Sequence, residues 1–191
     1  MAGVSGDHRA SARLRDIADE KAAGEAVQQV AAELGPVTVL INNAGIIRDN
    51  LIFRMSADDW DSVLSVHLRG AFLMTRAAQV RMTQERWGRI VNLSSTSALG
   101  NRGQVNYAAA KAGMIGFTKT LAKEWGRYAV TVNCVAFGYI QTRLTKPLAE
   151  GEAGTIEVAG RQVKVGVQGA RIAAMNQMIP LGRGGLPAEA A

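Results

Sequence analysis

The chain has 191 residues, 48% of them hydrophobic and 20% charged, with 21 Gly, 4 Pro and a formal net charge of +6. That balance suits one globular domain and excludes a disordered chain, a collagen-like repeat and a disulfide-stapled miniprotein. A single cysteine, Cys134, cannot form an internal disulfide and points to a reducing, cytoplasmic setting.

No run of about 18 apolar residues marks a transmembrane helix, and neither a membrane nor nucleic acid is an expected partner. The basic residues are scattered, without a dense cluster or interleaved aromatics. A diffuse positive charge of this kind suits ordinary surface solvation first, then attraction of a phosphorylated cofactor or acidic substrate, ahead of a polynucleotide. Residues Met1 to Arg15 are polar and lack the apolar block of a signal peptide.

From Glu20 to Leu34 the spacing of Val27, Val30, Ala31 and Leu34 predicts a helix, stopped by Gly35 and Pro36. The stretch 37–43, VTVLINN, predicts a strand apolar enough to be covered on both faces, as in a parallel sheet. Residues 44–55 read as a loop. Ser56 with Asp59 resembles a capping box and opens a long helix to about Met82, with Trp60, Leu64, His67, Ala71 and Met74 on one face. RIVNLSS (89–95) predicts a second strand, Val105 to Trp125 a helix ended by Gly126, and 129–137 a third strand. This alternation argues for an α/β fold with a doubly wound parallel sheet.

Beyond Gly138 the pattern loosens. TIEV and QVKVGV flank Ala159, Gly160 and Arg161 and predict a small hairpin; 168–178 suits a short helix; PAEAA suits a first helical turn. Residues 143–180 are expected to be a substrate lid within a single domain, not a domain of their own.

Tyr107 and Lys111 stand four apart on a predicted helix, hence on one face. An ammonium one turn away is expected to favour the phenolate and bring the tyrosine nearer to proton transfer at neutral pH. Ser94 and Ser95 close a strand, at the sheet edge where ligands bind in open α/β sheets. Such a Tyr, Lys and Ser set can polarise a carbonyl and protonate its oxygen. By itself the pair also suits an exposed i,i+4 contact on a surface helix.

The surrounding text decides between those readings. NNAG (Asn42 to Gly45), RIVNLSS, GNRGQVNYAAAKAG (100–113) and TVNCVAFGYIQT (131–142) occur in order on successive elements. Together they resemble the short-chain dehydrogenase/reductase family, of the 3-oxoacyl-carrier-protein reductase type, over roughly residues 16–187. The resemblance implies a three-layer Rossmann-like sheet, a soluble oxidoreductase of fatty acid metabolism, and NADP or NAD as cofactor with NADPH favoured. Tyr107 would be the general acid, and Lys111 would lower its pKa and hold the nicotinamide ribose. A serine would hold the substrate oxygen: anchoring on the strand gives Ser95, while counting back from the tyrosine by the family's spacing gives Ser94. Ser95 is favoured, because a deletion fits the following loop better than a buried strand.

By the same resemblance, Asn42, Ala44 and Gly45 lie beside the adenosine half of the cofactor. Asp16 with Ile17 matches an Asp-Val pair that meets adenine, Thr142 a cofactor-contacting threonine, and Ile140 the residue at the carboxamide. No metal is implied. Partners would be a thioester or other small-molecule substrate and further copies of the chain, paired as a homodimer or homotetramer through helices 57–82 and 105–125.

Three features depart from the pattern. His67 stands where the family has an asparagine that supports a water relay to the lysine; a histidine can donate or accept there, or serve only as a core side chain bonded to backbone. Phe137 replaces a proline that would fix φ. No strand, Gly-rich turn and helix precede Asp16: Gly3 to Gly6 lacks the spacing, Gly182 to Gly185 comes too late, and no last strand follows PAEAA. The chain therefore reads as a domain without its first βαβ unit and last strand, and as a poor reductase by itself. The element that would separate NAD from NADP is in that first unit. Two alternatives stand beside reduction of a 3-oxoacyl thioester: a non-catalytic relic or oligomerising subunit, and a dehydrogenase of a 3-hydroxyacyl-CoA or other secondary alcohol.

Overall fold

A computed structural model describes residues 16–142, 145, 147–148, 154–158 and 161–190. The expected irregular start, including Gly3 to Gly6, and the hairpin turn at Ala159 and Gly160 lie outside the described residues. The chain divides after Val135 into two compact units, each taken here by itself.

The first unit runs α1 (Glu20–Leu34), β1 (Val39–Asn42), α2 (Ala57–Leu64), α3 (Gly70–Gln84), β2 (Gly88–Ser95), α4 (Val105–Trp125) and β3 (Val130–Phe137). Helix starts follow local chemistry. The Asp19 carboxylate accepts from the Ala22 N–H at 2.7 Å, satisfying one of the orphan donors of α1. At α2 the capping box is reciprocal: Ser56 Oγ accepts from Asp59 N–H at 3.0 Å, and Asp59 Oδ2 accepts from Ser56 N–H at 3.1 Å.

The sheet order is β1-β2-β3. β1 and β2 are parallel, with Leu40 beside Ile90 and Asn42 beside Asn92. Alternation puts Leu40, Ile90, Val130 and Val132 on one face, packed with Ala78 and Met82 of α3 and flanked by Val27 of α1 and Leu121, Ala122 and Trp125 of α4. This is the core of the unit. The opposite face differs from the expectation for 37–43. Val39 is 52% and Ile41 61% exposed, whereas α1, α3 and α4 pack on the other side, against Leu40 and Ile90. The apolar run records a strand suited to two covering layers, of which the described residues supply one.

The second difference lies in the long helix after Ser56. It is not continuous: Ser65–Arg69 form a π-helical turn, closed by Gly70 N–H donating to the Ser65 carbonyl. One extra residue in the turn changes the phase between α2 and α3. Gly70 then meets Ile17 closely enough that a Cβ would stand 2.7 Å from its Cδ1, and His67 is turned into the protein, 4% exposed. A simple 3.6-residue period cannot register such an insertion.

The second unit holds the expected hairpin, β5 (Gly154–Val158) antiparallel to β6 (Arg161–Val165) with Val158 beside Arg161. A short pair, β4 (Pro147–Leu148) and β7 (Val167–Gln168), precedes α5 (Gly169–Met178), and α6 spans Pro187–Ala190. Arg183 binds the Glu189 carboxylate with both amino groups, at 2.8 and 2.7 Å, which fixes the Gly-rich turn before α6.

Candidate active site

Two elements bring the catalytic candidates together. β2 ends at Ser95, and the chain returns through a short turn into α4, whose first turn carries Tyr107. Asn106 is fully buried and holds this corner: its amide donates to the carbonyls of Arg48 and Asp59, each at 3.0 Å, and its oxygen accepts from the Tyr107 N–H at 2.8 Å.

The two serines part company. The Ser95 hydroxyl lies on the Tyr107 side, where it draws the phenol's pKa down against the larger effect of burial, and it accepts from Ser97 N–H at 3.1 Å. The Ser94 hydroxyl points into the core and donates to the Lys111 carbonyl at 2.8 Å. Alternation on the strand forces this division, since neighbours face opposite sides.

Lys111 lies one turn beyond Tyr107 and is 5% exposed. Its ammonium donates to the Leu93 carbonyl at 2.5 Å and stands 5.5 Å from the Tyr107 ring centroid. Burial lowers its pKa to about 8, with Cys134 acting in the opposite sense. The phenol does not move as the i,i+4 spacing predicts. Its pKa is raised: burial is the largest cause, Ser95 opposes it, and the Asp49 carboxylate adds to it. The ammonium is spent on a backbone carbonyl and the ring face, so the phenol stays protonated at neutral pH.

His67 meets Tyr107 edge-on, ring centroids 5.1 Å apart and planes at 89°. Its Nε2 lies 3.1 Å from the Ile46 N–H and 2.8 Å from the Ile46 carbonyl, accepting from one or donating to the other according to tautomer. Nδ1 is buried with no hydrogen-bond partner among the described residues. Burial and then the Lys111 charge lower the ring's pKa to about 4, so it is neutral at pH 7. The imidazole also occupies the space beside Gly45, where a Cβ would stand 2.4 Å from Cε1.

Asn42, the first residue of NNAG, turns its side chain inward. Its amide donates to Thr75 Oγ1 at 3.0 Å and to Asn92 Oδ1 at 2.8 Å, and Asn92 donates to Thr118 Oγ1 at 2.9 Å. This polar ladder ties β1 and β2 to α3 and α4 through the core and leaves Asn43, Ala44 and Gly45 exposed beyond the strand. A cavity of about 90 Å³ is lined by Asn42, Asn43, Ala44, His67, Lys111 and Ile17, among others. Asp16, beside Ile17, accepts from Ala18 N–H at 2.9 Å in a surface turn. In the second unit Ile140 bridges to Gly185, and Thr142 N–H donates to Thr145 Oγ1 at 2.9 Å.

Asn92, Asn106, Gln104 and Asp49 were not singled out in the sequence. Asn92 could have been found: it is a polar residue at a covered position of an apolar strand, and such a residue needs partners.

The short chain dehydrogenase family model matches residues 4–153. The chain belongs to the short chain dehydrogenase family. Among similar family members, 3-oxoacyl-acyl-carrier-protein reductase FabG of Pseudomonas aeruginosa is 44% identical over 138 residues, covering 72% of this chain and 56% of that protein. The FabG of Aquifex aeolicus is 42% identical over 177 residues, covering 92% of this chain and 64% of its own. Nodulation protein G of Azospirillum brasilense is 43% identical over 136 residues, 71% of this chain and 55% of that protein. This short chain dehydrogenase thus spans between about half and two thirds of the length of the relatives it matches. No helix among its described residues is long and apolar enough to cross a membrane.

Proposed function

We propose that the chain carries the proton-transfer half of a reductase for 3-oxoacyl thioesters or related ketones. The observation that supports this most directly is the placing of the Lys111 ammonium 5.5 Å from the Tyr107 ring centroid, with the Ser95 hydroxyl, unlike that of Ser94, turned out of the core. The ketone oxygen sits between the two hydroxyls. Ser95 donates to it, and Tyr107 delivers its proton as charge develops there. The phenolate left behind regains a proton from solvent. His67 is a positioning residue: it stays neutral, holds the Ile46 backbone and packs its ring on Tyr107.

The donor set suits the nicotinamide-ribose end of a dinucleotide, since the buried Lys111 shares a cavity with the exposed Asn43 and Ala44. When bound, NADPH, or NADH in its place, supplies the hydride to the carbonyl carbon. Asp16, Asn42, Ala44, Gly45, Ile140 and Thr142 remain cofactor contacts by resemblance. Oxidation of a 3-hydroxyacyl-CoA or another secondary alcohol would use the same groups in reverse, but a phenol held protonated favours reduction. Pairing of copies through α3 and α4 is in keeping with Phe72 and Val80 on α3 and Val105 on α4, which are 42%, 47% and 40% exposed.

A second reading is a relic that folds but binds no dinucleotide. Calorimetric titration with NADPH separates the two. The reductase reading expects saturable binding weakened about tenfold or more in Lys111→Ala, which loses charge-assisted hydrogen bonds. Absence of binding selects the relic.

A further inference from the structure

The rim of the site carries a fixed negative charge. Asp49 lies in the loop after β1, and the backbone on each side of it is tied to the start of α4. The Arg48 carbonyl accepts from Asn106 at 3.0 Å, and the Asn50 N–H donates to the Gly103 carbonyl at 2.8 Å. The carboxylate itself accepts from Gln104 Nε2 at 2.7 Å. Gln104 cannot turn its amide over, because its oxygen would then face a carboxylate that only accepts. In the orientation present, Gln104 Oε1 accepts from Asn101 at 2.7 Å and from the Ser97 hydroxyl at 3.2 Å. Ser97 in turn donates its N–H to Ser95 Oγ at 3.1 Å. One hydrogen-bonded path, passing through the backbone N–H and the hydroxyl of Ser97, therefore runs from Ser95 to the Asp49 carboxylate.

We propose that Asp49, held by Gln104, is a specificity residue that rejects substrates bearing a carboxylate next to the ketone and admits neutral esters, thioesters and ketones. This rests on the reductase reading above and adds the charge class of substrate. In a free 3-oxo acid the carboxylate carbon is two bonds from the ketone carbon, so docking the ketone on Ser95 and Tyr107 brings a second negative charge toward Asp49. Esterification removes that charge. The chain's overall +6 attracts anions from a distance, so discrimination has to be local. That Asp49 is felt at the reacting group is seen in the phenol, whose proton its charge helps to retain.

The test is Asp49→Asn, which keeps an acceptor for Gln104 and removes the charge. The ratio of kcat/KM for acetoacetyl-N-acetylcysteamine to that for acetoacetate is measured with NADPH at low salt. Two unit charges a few ångströms apart at a screened surface correspond to a ratio that falls about threefold to tenfold in the variant. Molar salt should narrow the wild-type ratio in the same direction. An unchanged ratio overturns the inference and leaves the reductase reading standing. Turnover of neither substrate by the wild type counts against the reductase reading, and the phenol then decides Asp49 independently. Its ionisation, followed by tyrosinate absorbance against Tyr107→Phe, should move to lower pH in Asp49→Asn; an unmoved titration overturns the inference.

Discussion

His67 links the stability of the fold to pH in a way the structure makes quantitative. The ring is almost fully buried, its Nε2 is engaged by Ile46, and no described side chain compensates a charge on Nδ1. Its pKa falls from 6.5 to about 4 on folding, chiefly through burial and then through Lys111. Between those two values the unfolded chain binds a proton that the folded chain refuses. The stabilisation is complete above pH 6.5 and drains away as pH falls toward 4. Linkage gives a loss of about 2 kcal/mol between pH 7 and pH 5, approaching about 3 kcal/mol below both values. The assay is urea unfolding at a series of pH values, for the wild type and for His67→Asn, which cannot titrate in this window. The difference between the two curves should shrink by about 2 kcal/mol from pH 7 to pH 5. Curves that stay parallel would refute the reasoning, since other groups contribute equally to both proteins.

Gly45→Ala should destabilise by about 1–3 kcal/mol in the same assay, because its Cβ would meet a ring locked at Ile46, 2.4 Å from Cε1; an unchanged midpoint would show that the ring can give way. Asn92→Ala should cost about 2–3 kcal/mol, leaving the Asn42 and Thr118 groups of the buried ladder without their partner. A cost below about 0.5 kcal/mol would mean that the ladder contributes little to the fold.

How far the sequence speaks depends on what kind of signal each residue leaves. The strands, the start of α2 and the span of α4 are legible because apolar periodicity and a capping pair are local. That Ser94 and Ser95 face opposite ways is legible too, since a strand's alternation sends only one of two neighbouring hydroxyls into the core. The π turn at Ser65–Arg69 is not, because it breaks the period that would reveal it. The state of Tyr107 is not either. Spacing puts Lys111 on the same face, but whether its ammonium points at the phenol or at the Leu93 carbonyl is set by tertiary packing. Asp49 and Gln104 lie 55 positions apart, and no local pattern joins them. The half-open sheet face at Val39 and Ile41 shows the converse: the residues are written for a second layer that local sequence cannot supply.

Proton supply from Tyr107 to the ketone oxygen, beside Ser95, is the proposed step. It is tested most directly by following deuterium from 4-deuterated NADPH into C3 of an acetoacetyl thioester, with wild type and Tyr107→Phe compared by mass spectrometry. Labelled 3-hydroxy product is expected from the wild type, and a rate about 10²–10⁴-fold lower in Tyr107→Phe with NADPH affinity retained. Label transfer by Tyr107→Phe at the wild-type rate would contradict it.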